Sequence, residues 1–163
     1  MFDSAAKPGI SMSASLAAGV IVNYYTLNNV GPITVSGQTT PEKLREAMSA
    51  LFVELGESVK PGYFTTEELE ATKANRAVTT AFGMERSSEF SHTIGFWWSV
   101  SGLEYYMKYN DEMAKRSAGD LRAYANKYIV GKPHIVGVMM SPGDRRRINL
   151  TEAELAKMGA IVP

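Results

Sequence analysis

"TVSGQTTPEKLREAMSALFVELGES", residues 34–58, is where the chain changes character. Ile33 and Val35 fall on one face of a short strand, with Gly31, Pro32 and Gly37 punctuating its ends. Thr40 and Pro41 then supply an N-cap and a first-turn proline. Beyond them Leu44, Ala47, Met48, Leu51, Phe52 and Leu55 recur on one helical stripe, and Gly56 is the expected stop. A period of two gives way to a period of 3.6 within one short connection, so strands and helices must share one fold.

Working outward confirms the mixture. "GISMSASLAA" (9–18) sets Ile10, Met12, Ala14 and Leu16 against serines, the alternation of a half-buried strand. "VIVNYYTL" (20–27) is β-branched and aromatic, equally suited to a strand or an ordered loop. Downstream, Thr65 to Glu68 is a capping box opening a helix to about Phe82. Leu69, Lys73, Arg76 and Thr80 share one face of it, and Ala71, Ala74, Ala77, Val78 and Ala81 offer a small-residue surface for close packing. "SSEFSHTIGFWWSVSG" (87–102) is the next helix. Ser101 to Glu104 is a further box, and Ser117 to Asp120 a looser cap. "HIVGVMMSP" (134–142) is the pattern of a short buried strand stopped by Pro142-Gly143, and Thr151 to Glu154 opens a last short helix. Strands at both ends of a helical middle predict an α+β fold with one mixed or antiparallel sheet layered against several helices. The return strand at 134–142 would pair beside the N-terminal strands.

Composition narrows the functions. The 163 residues fit one domain, and 45% hydrophobic with 21% charged residues is ordinary for a globular chain. Lys plus Arg equals Asp plus Glu at 17 each, so there is no basic surplus to hold nucleic acid or an anionic membrane. There is no cysteine, which removes disulfides and thiol chemistry without naming a compartment. The start, "MFDSAAKPGI", lacks the basic-then-apolar order of a signal peptide, and the longest apolar run, "AAGVIV", is far too short to span a bilayer. The chain reads as a soluble piece of a longer polypeptide.

The candidate chemistry centres on "EFSHTIGFWW" (89–98). Glu89 and His92, three apart, share a helix face, and such a pair can bind a metal. A dimetal site of that kind needs a second copy and further glutamates. No second E-x-x-H is present, and the other histidine, His134, has no ligand-like spacing around it. H-E-x-x-H, H-x-x-E-H, G-x-S-x-G and the phosphate-loop pattern are all missing. Phe90, Ile94, Trp97 and Trp98 form a stripe across the axis from His92, so the stretch predicts a packing helix with His92 facing solvent or an interface. Arg145, Arg146 and Arg147 could grip a carboxylate or phosphate, although a solvated loop explains them as well. Tyr24 and Tyr25 stand apart from the helical tyrosines as residues near a sheet edge.

The order of these segments carries a resemblance. "TVSGQTTPEKLREAMSALFVELGES", "FTTEELEATKANRAVTTAFGMERSSEF" and "YYMKYNDEMAKRSAGDLRAYANKYIVGKPHIVGVMMSPG" together resemble the C-terminal half-domain of the insulinase-like (pitrilysin) zinc metallopeptidases and their mitochondrial-processing-peptidase relatives. The similar region is about 10–142, leaving 143–163 as a C-terminal extension. The resemblance implies a half-domain without H-x-x-E-H that forms the substrate-chamber wall, while a homologous zinc-binding domain, in cis or in trans, cleaves the peptide. It implies no catalytic, cofactor-binding or metal-ligating residue in this chain, with zinc held by the partner domain. The arginine and tyrosine by which such companions touch substrate do not carry over: Ser11 or Met12 stands where the tyrosine is expected, and Lys7 is the nearest cation. The edge expected to bind peptide lies within residues 10–38. The alternatives are an inactive structural or assembly subunit of the same fold, as in respiratory complexes, or a stand-alone peptide- or protein-binding α+β domain.

Overall fold

The structure, a computed structural model, describes residues 16–158. It shows an α+β fold with one small antiparallel sheet and several helices. The sheet is a hairpin of β1 (Ala18–Tyr24) and β2 (Ile33–Gln38). Its register is visible at both ends. Tyr25 N–H donates to the Pro32 carbonyl (3.2 Å), and Val20 lies against Gly37. A 3-10 turn, Pro41–Lys43, leads into α1 (Leu44–Glu57). Then follow α2 (Thr66–Glu85), α3 (Ser87–Val100), α4 (Leu103–Ala114), α5 (Ala118–Tyr128), α6 (Pro142–Arg147) and α7 (Glu152–Met158).

The described chain forms two compact units. One comprises residues 22–34 and 64–121, the other 16–21, 35–63 and 122–158. In the first, α2, α3 and α4 pack on one another. The Thr65–Glu68 box forms as expected, Glu68 N–H donating to Thr65 Oγ1 (3.2 Å) and Thr65 N–H to Glu68 Oε2 (3.1 Å). The Thr65 hydroxyl, donating to Glu68 Oε2 (2.8 Å), and then the Thr65 N–H hold the Glu68 carboxyl below its usual value. The centre of the unit is aromatic. The Trp97 ring lies 5.4, 6.0 and 6.1 Å from those of Tyr105, Tyr106 and Tyr109 on α4. The Arg76 guanidinium covers Tyr109 at 5.2 Å.

Three expectations about these helices fail, the third being the close packing of the α2 alanines. The Ser101–Glu104 box does not start α4. The N–H groups of Ser101 and Gly102 instead donate to the Trp97 carbonyl (3.0 and 2.8 Å), so Ser101 closes α3. Gly102, at φ +84, makes the reversal that a residue with a Cβ would resist. Trp98 also leaves the packing stripe that Phe90, Ile94 and Trp97 keep, and is 73% exposed. On α2 the polar line Leu69–Lys73–Arg76–Thr80 borders the packed side, with the Lys73 side chain only 16% exposed, whereas Ala71, Ala74, Ala77, Val78, Ala81 and Phe82 face outward.

In the second unit Leu44 and Ala47 of α1, Ala125 and Leu150 are buried. The α1 stripe holds, and the helix runs one residue past Gly56 before Ser58 caps it. Ser117 and Asp120, which belong to the first unit, form a reciprocal cap, with Asp120 N–H to Ser117 Oγ at 3.2 Å and Ser117 N–H to Asp120 Oδ2 at 2.8 Å. The strand expected at 134–142 is not there. Residues 132–141 make no ladder with any described strand, and the hairpin is the one sheet among the described residues. The strand expected at 9–18 lies outside the described residues except for its last three.

"GDRRRIN" is not a loop but α6. Ser141 Oγ accepts from Asp144 N–H (3.0 Å), and Pro142 occupies the first helical position. Two of its three arginines are engaged inside the chain. Arg147 pairs with Glu42 and with Asp144 (2.7 Å), and Arg145 Nε donates to the Leu150 carbonyl (3.2 Å). Arg45 of α1 completes the network, gripping both Glu154 oxygens (2.5 and 2.9 Å) and the Ile148 carbonyl (3.0 Å). Hydrogen bonds from Arg147 to Glu42 and Asp144, and from Arg45 to Glu154, hold the three carboxyls below their ordinary values.

Two predictions follow from this packing. Trp97→Ala removes the ring shared by three tyrosines and should cost about 3 kcal/mol in a urea titration, the lower range for a large aromatic that is only half-buried. A depressed folded-state pKa contributes stability that is complete above the ordinary carboxylate range near pH 4 and is lost as pH falls through the folded value. The melting temperature should therefore fall in acid, and Arg45→Met should flatten that acid limb. An equally steep limb in the variant would refute the role given to the network.

Candidate binding groove

Gly31 begins the site. A Cβ there would run into the Tyr25 carbonyl and the Tyr24 ring. Its absence lets the hairpin turn close tightly, so Tyr25 leaves the end of β1 with its ring 6.0 Å from Phe96 of α3. From α3 come Ser88, His92 and Phe96, spaced by four, and beside them Glu89, Thr93 and Trp97, also spaced by four. Helical geometry places the two rows side by side. Tyr25 and these residues line an open groove of about 680 Å³.

The groove has two chemically different ends. Toward the start of α3 it presents Ser88, Glu89, His92 and Thr93, toward its finish Phe96, Trp97 and the Tyr25 ring. Phe96 stands edge-on to Trp97 (5.4 Å, 82°), so the aromatic end is a corner rather than a flat plate. Glu89 is paired with Arg86 at 3.0 Å in an exposed contact, and Thr93 donates to the Glu89 carbonyl (3.0 Å). An exposed pair of this kind is weak and readily exchanged for another partner. Such a groove can take up an apolar or aromatic side chain at one end and hydrogen-bond a polar backbone at the other.

The residues singled out from sequence fall as follows. Glu89 and His92 do share a wall, and His92 is exposed and faces the groove. They supply two donors, and among the described residues no three His, Cys, Asp or Glu converge as metal ligands would. His134 belongs to the other unit, where its ring lies 5.2 Å from Phe52 and its Nδ1 is 2.9 Å from the Lys132 carbonyl. Tyr24 ends β1, and Tyr25 follows it at the groove. Burial raises the Tyr105 hydroxyl pKa, with Tyr109 and Tyr24 adding to the shift. Phe96 was not singled out; its spacing of four from His92 was the available signal.

No family model matches the chain. No curated protein and no solved structure matches it either. Among the described residues no helix is long and apolar enough to cross a membrane.

The two tryptophans make the groove measurable. Trp98→Phe should remove most of the acrylamide-quenchable fluorescence and leave Trp97 as a single reporter in the wall. Comparable quenching in Trp98→Phe and Trp97→Phe would show that the two rings are not differently placed.

Proposed function

We propose that this chain is a non-catalytic, peptide-binding domain that forms one wall of the substrate chamber of an insulinase-like zinc metallopeptidase. Cleavage is carried out by a separate zinc-binding domain, in cis or in trans. The observation that carries this reading is the groove along α3, with its aromatic corner beside the turn of an exposed hairpin. An extended peptide needs an apolar pocket for a side chain and polar partners for its backbone, and the groove offers both within one helix face. A wall that orders such a peptide can lower the barrier to cleavage elsewhere by positioning alone. The order of the three sequence segments supplies the link to the peptidase family.

A second reading, an inactive assembly subunit of the same fold, draws on the outer face of α2. There Val78 and Phe82 are exposed beside a run of alanines, the composition of a surface that another protein covers.

The Trp98→Phe protein, titrated with unfolded peptides, should show a saturable change in Trp97 emission. Phe96→Ala should weaken binding by about tenfold, the effect of losing roughly one aromatic contact pair. The purified chain should hold no stoichiometric zinc. Unchanged emission with every peptide up to about 1 mM, corresponding to about −4 kcal/mol of binding, would remove the peptide role. Binding without any stimulation of a zinc-bearing partner domain would remove the chamber role and favour assembly.

A further inference from the structure

The helix rows that wall the groove have a repeat that an extended peptide can follow. Ser88, His92 and Phe96 stand four residues apart, and Glu89, Thr93 and Trp97 run beside them. Four helical residues rise about 6.0 Å. Two residues of an extended chain rise about 6.7 Å and return the side chain to the same face. A strand laid along α3 therefore sets every second side chain against every fourth helix residue. The drift is about 0.7 Å per step, tolerable over the short length of the groove. Neighbouring peptide side chains point to opposite faces, so only residues two apart can occupy successive positions.

The successive positions differ in chemistry. At Phe96 three rings form a corner: Phe96 and Trp97 stand at 82° to each other, and Tyr25 is tilted by 57° to Phe96. An incoming ring can lie over one wall and edge-on to another, both favoured arrangements, whereas an aliphatic chain lacks that gain. One turn earlier is His92. Its ring and the Ser88 hydroxyl have no partner among the described residues. A neutral imidazole offers one donor and one acceptor, and a side-chain amide offers both in return, so Asn or Gln satisfies either tautomer. Charge favours the same neutral residue. With His92 neutral, Glu89 is the one charged group in the lining, and Arg86 already faces it at 3.0 Å. A cationic ligand would exchange one cation for another without net gain, and an acidic one would be repelled. We propose that the groove selects extended segments carrying an aromatic residue and, two positions away, an asparagine or glutamine. The ring enters the Tyr25–Phe96–Trp97 corner and the amide bonds to His92, with Ser88 one turn beyond. This selection rests on the peptide-binding role proposed above and narrows its ligand class.

The test uses short blocked peptides on an uncharged glycine-alanine background, with one Phe and one Asn set adjacent, two apart or three apart, in both orders. Each is titrated into the Trp98→Phe protein and followed by Trp97 emission. The better of the two peptides with the residues two apart should bind about fivefold tighter than any other spacing, the effect of about one neutral hydrogen bond. Leu in place of Phe should weaken it, and Lys or Asp in place of Asn should remove the advantage. His92 is exposed and unpartnered among the described residues, so His92→Ala should leave the melting temperature unchanged. In that variant the aromatic peptides should still bind, but all spacings alike. Equal affinity at every spacing in the parent protein, tightest binding with Lys in place of Asn, or a spacing preference that survives His92→Ala overturns the proposal and leaves the peptide role standing. If neither these peptides nor unfolded ones change the emission, the peptide role falls and the selection falls with it.

Discussion

The Trp97 ring is the constraint on which the first unit depends. It joins α3 to α4 through three tyrosines, and the face of the helix that makes this junction also carries the groove. Core and site are therefore not separable here. Phe96 and Tyr25 extend the same aromatic chain outward, so the groove's apolar corner is the rim of the packing that holds the helices together. A wall built this way is stiff without any disulfide or metal, because aromatic contacts fix both distance and tilt.

What could be read from sequence was whatever local chemistry determines. The Thr65–Glu68 box, the Ser117–Asp120 cap and the α1 stripe depend on residues three or four apart, and each formed as expected. The α+β mixture was visible for the same reason. The strand at 134–142 was not decided locally: an apolar alternation states that a strand could form, while pairing requires a second edge brought from elsewhere in the chain. Ser101 misled because a capping-box spacing also fits a helix terminus, and Gly102 resolved it in favour of the end of α3. The groove was half legible. Glu89 and His92 stood out by residue type, but Tyr25 reaches them only through the hairpin turn, a juxtaposition with no trace in spacing.

The second unit relies on a different force. Its terminal segments are fastened to α1 and the 3-10 turn by guanidinium–carboxylate pairs that are largely solvent-exposed. Contacts of this kind add little net stability apiece and are screened by salt. Their geometry is nevertheless specific: the two-oxygen grip of Arg45 on Glu154 fixes where α7 lies against α1. Two of the three arginines that suggested an anion site, Arg145 and Arg147, are thus engaged by partners within the chain that align its last described helices.

On α2 the usual distribution is inverted, with Lys73 largely covered and Arg76 lying over Tyr109, while the alanines look outward. The turn at Gly31 has the opposite economy: everything there depends on one hydrogen standing where other residues carry a methyl. The α3 wall can exchange one side chain for another and still be a wall. The hairpin tip has no such latitude, since the smallest substituent would re-aim Tyr25 and open the mouth. Sequences that drift under selection for this recess should therefore vary along the helix long before they vary at that single achiral position.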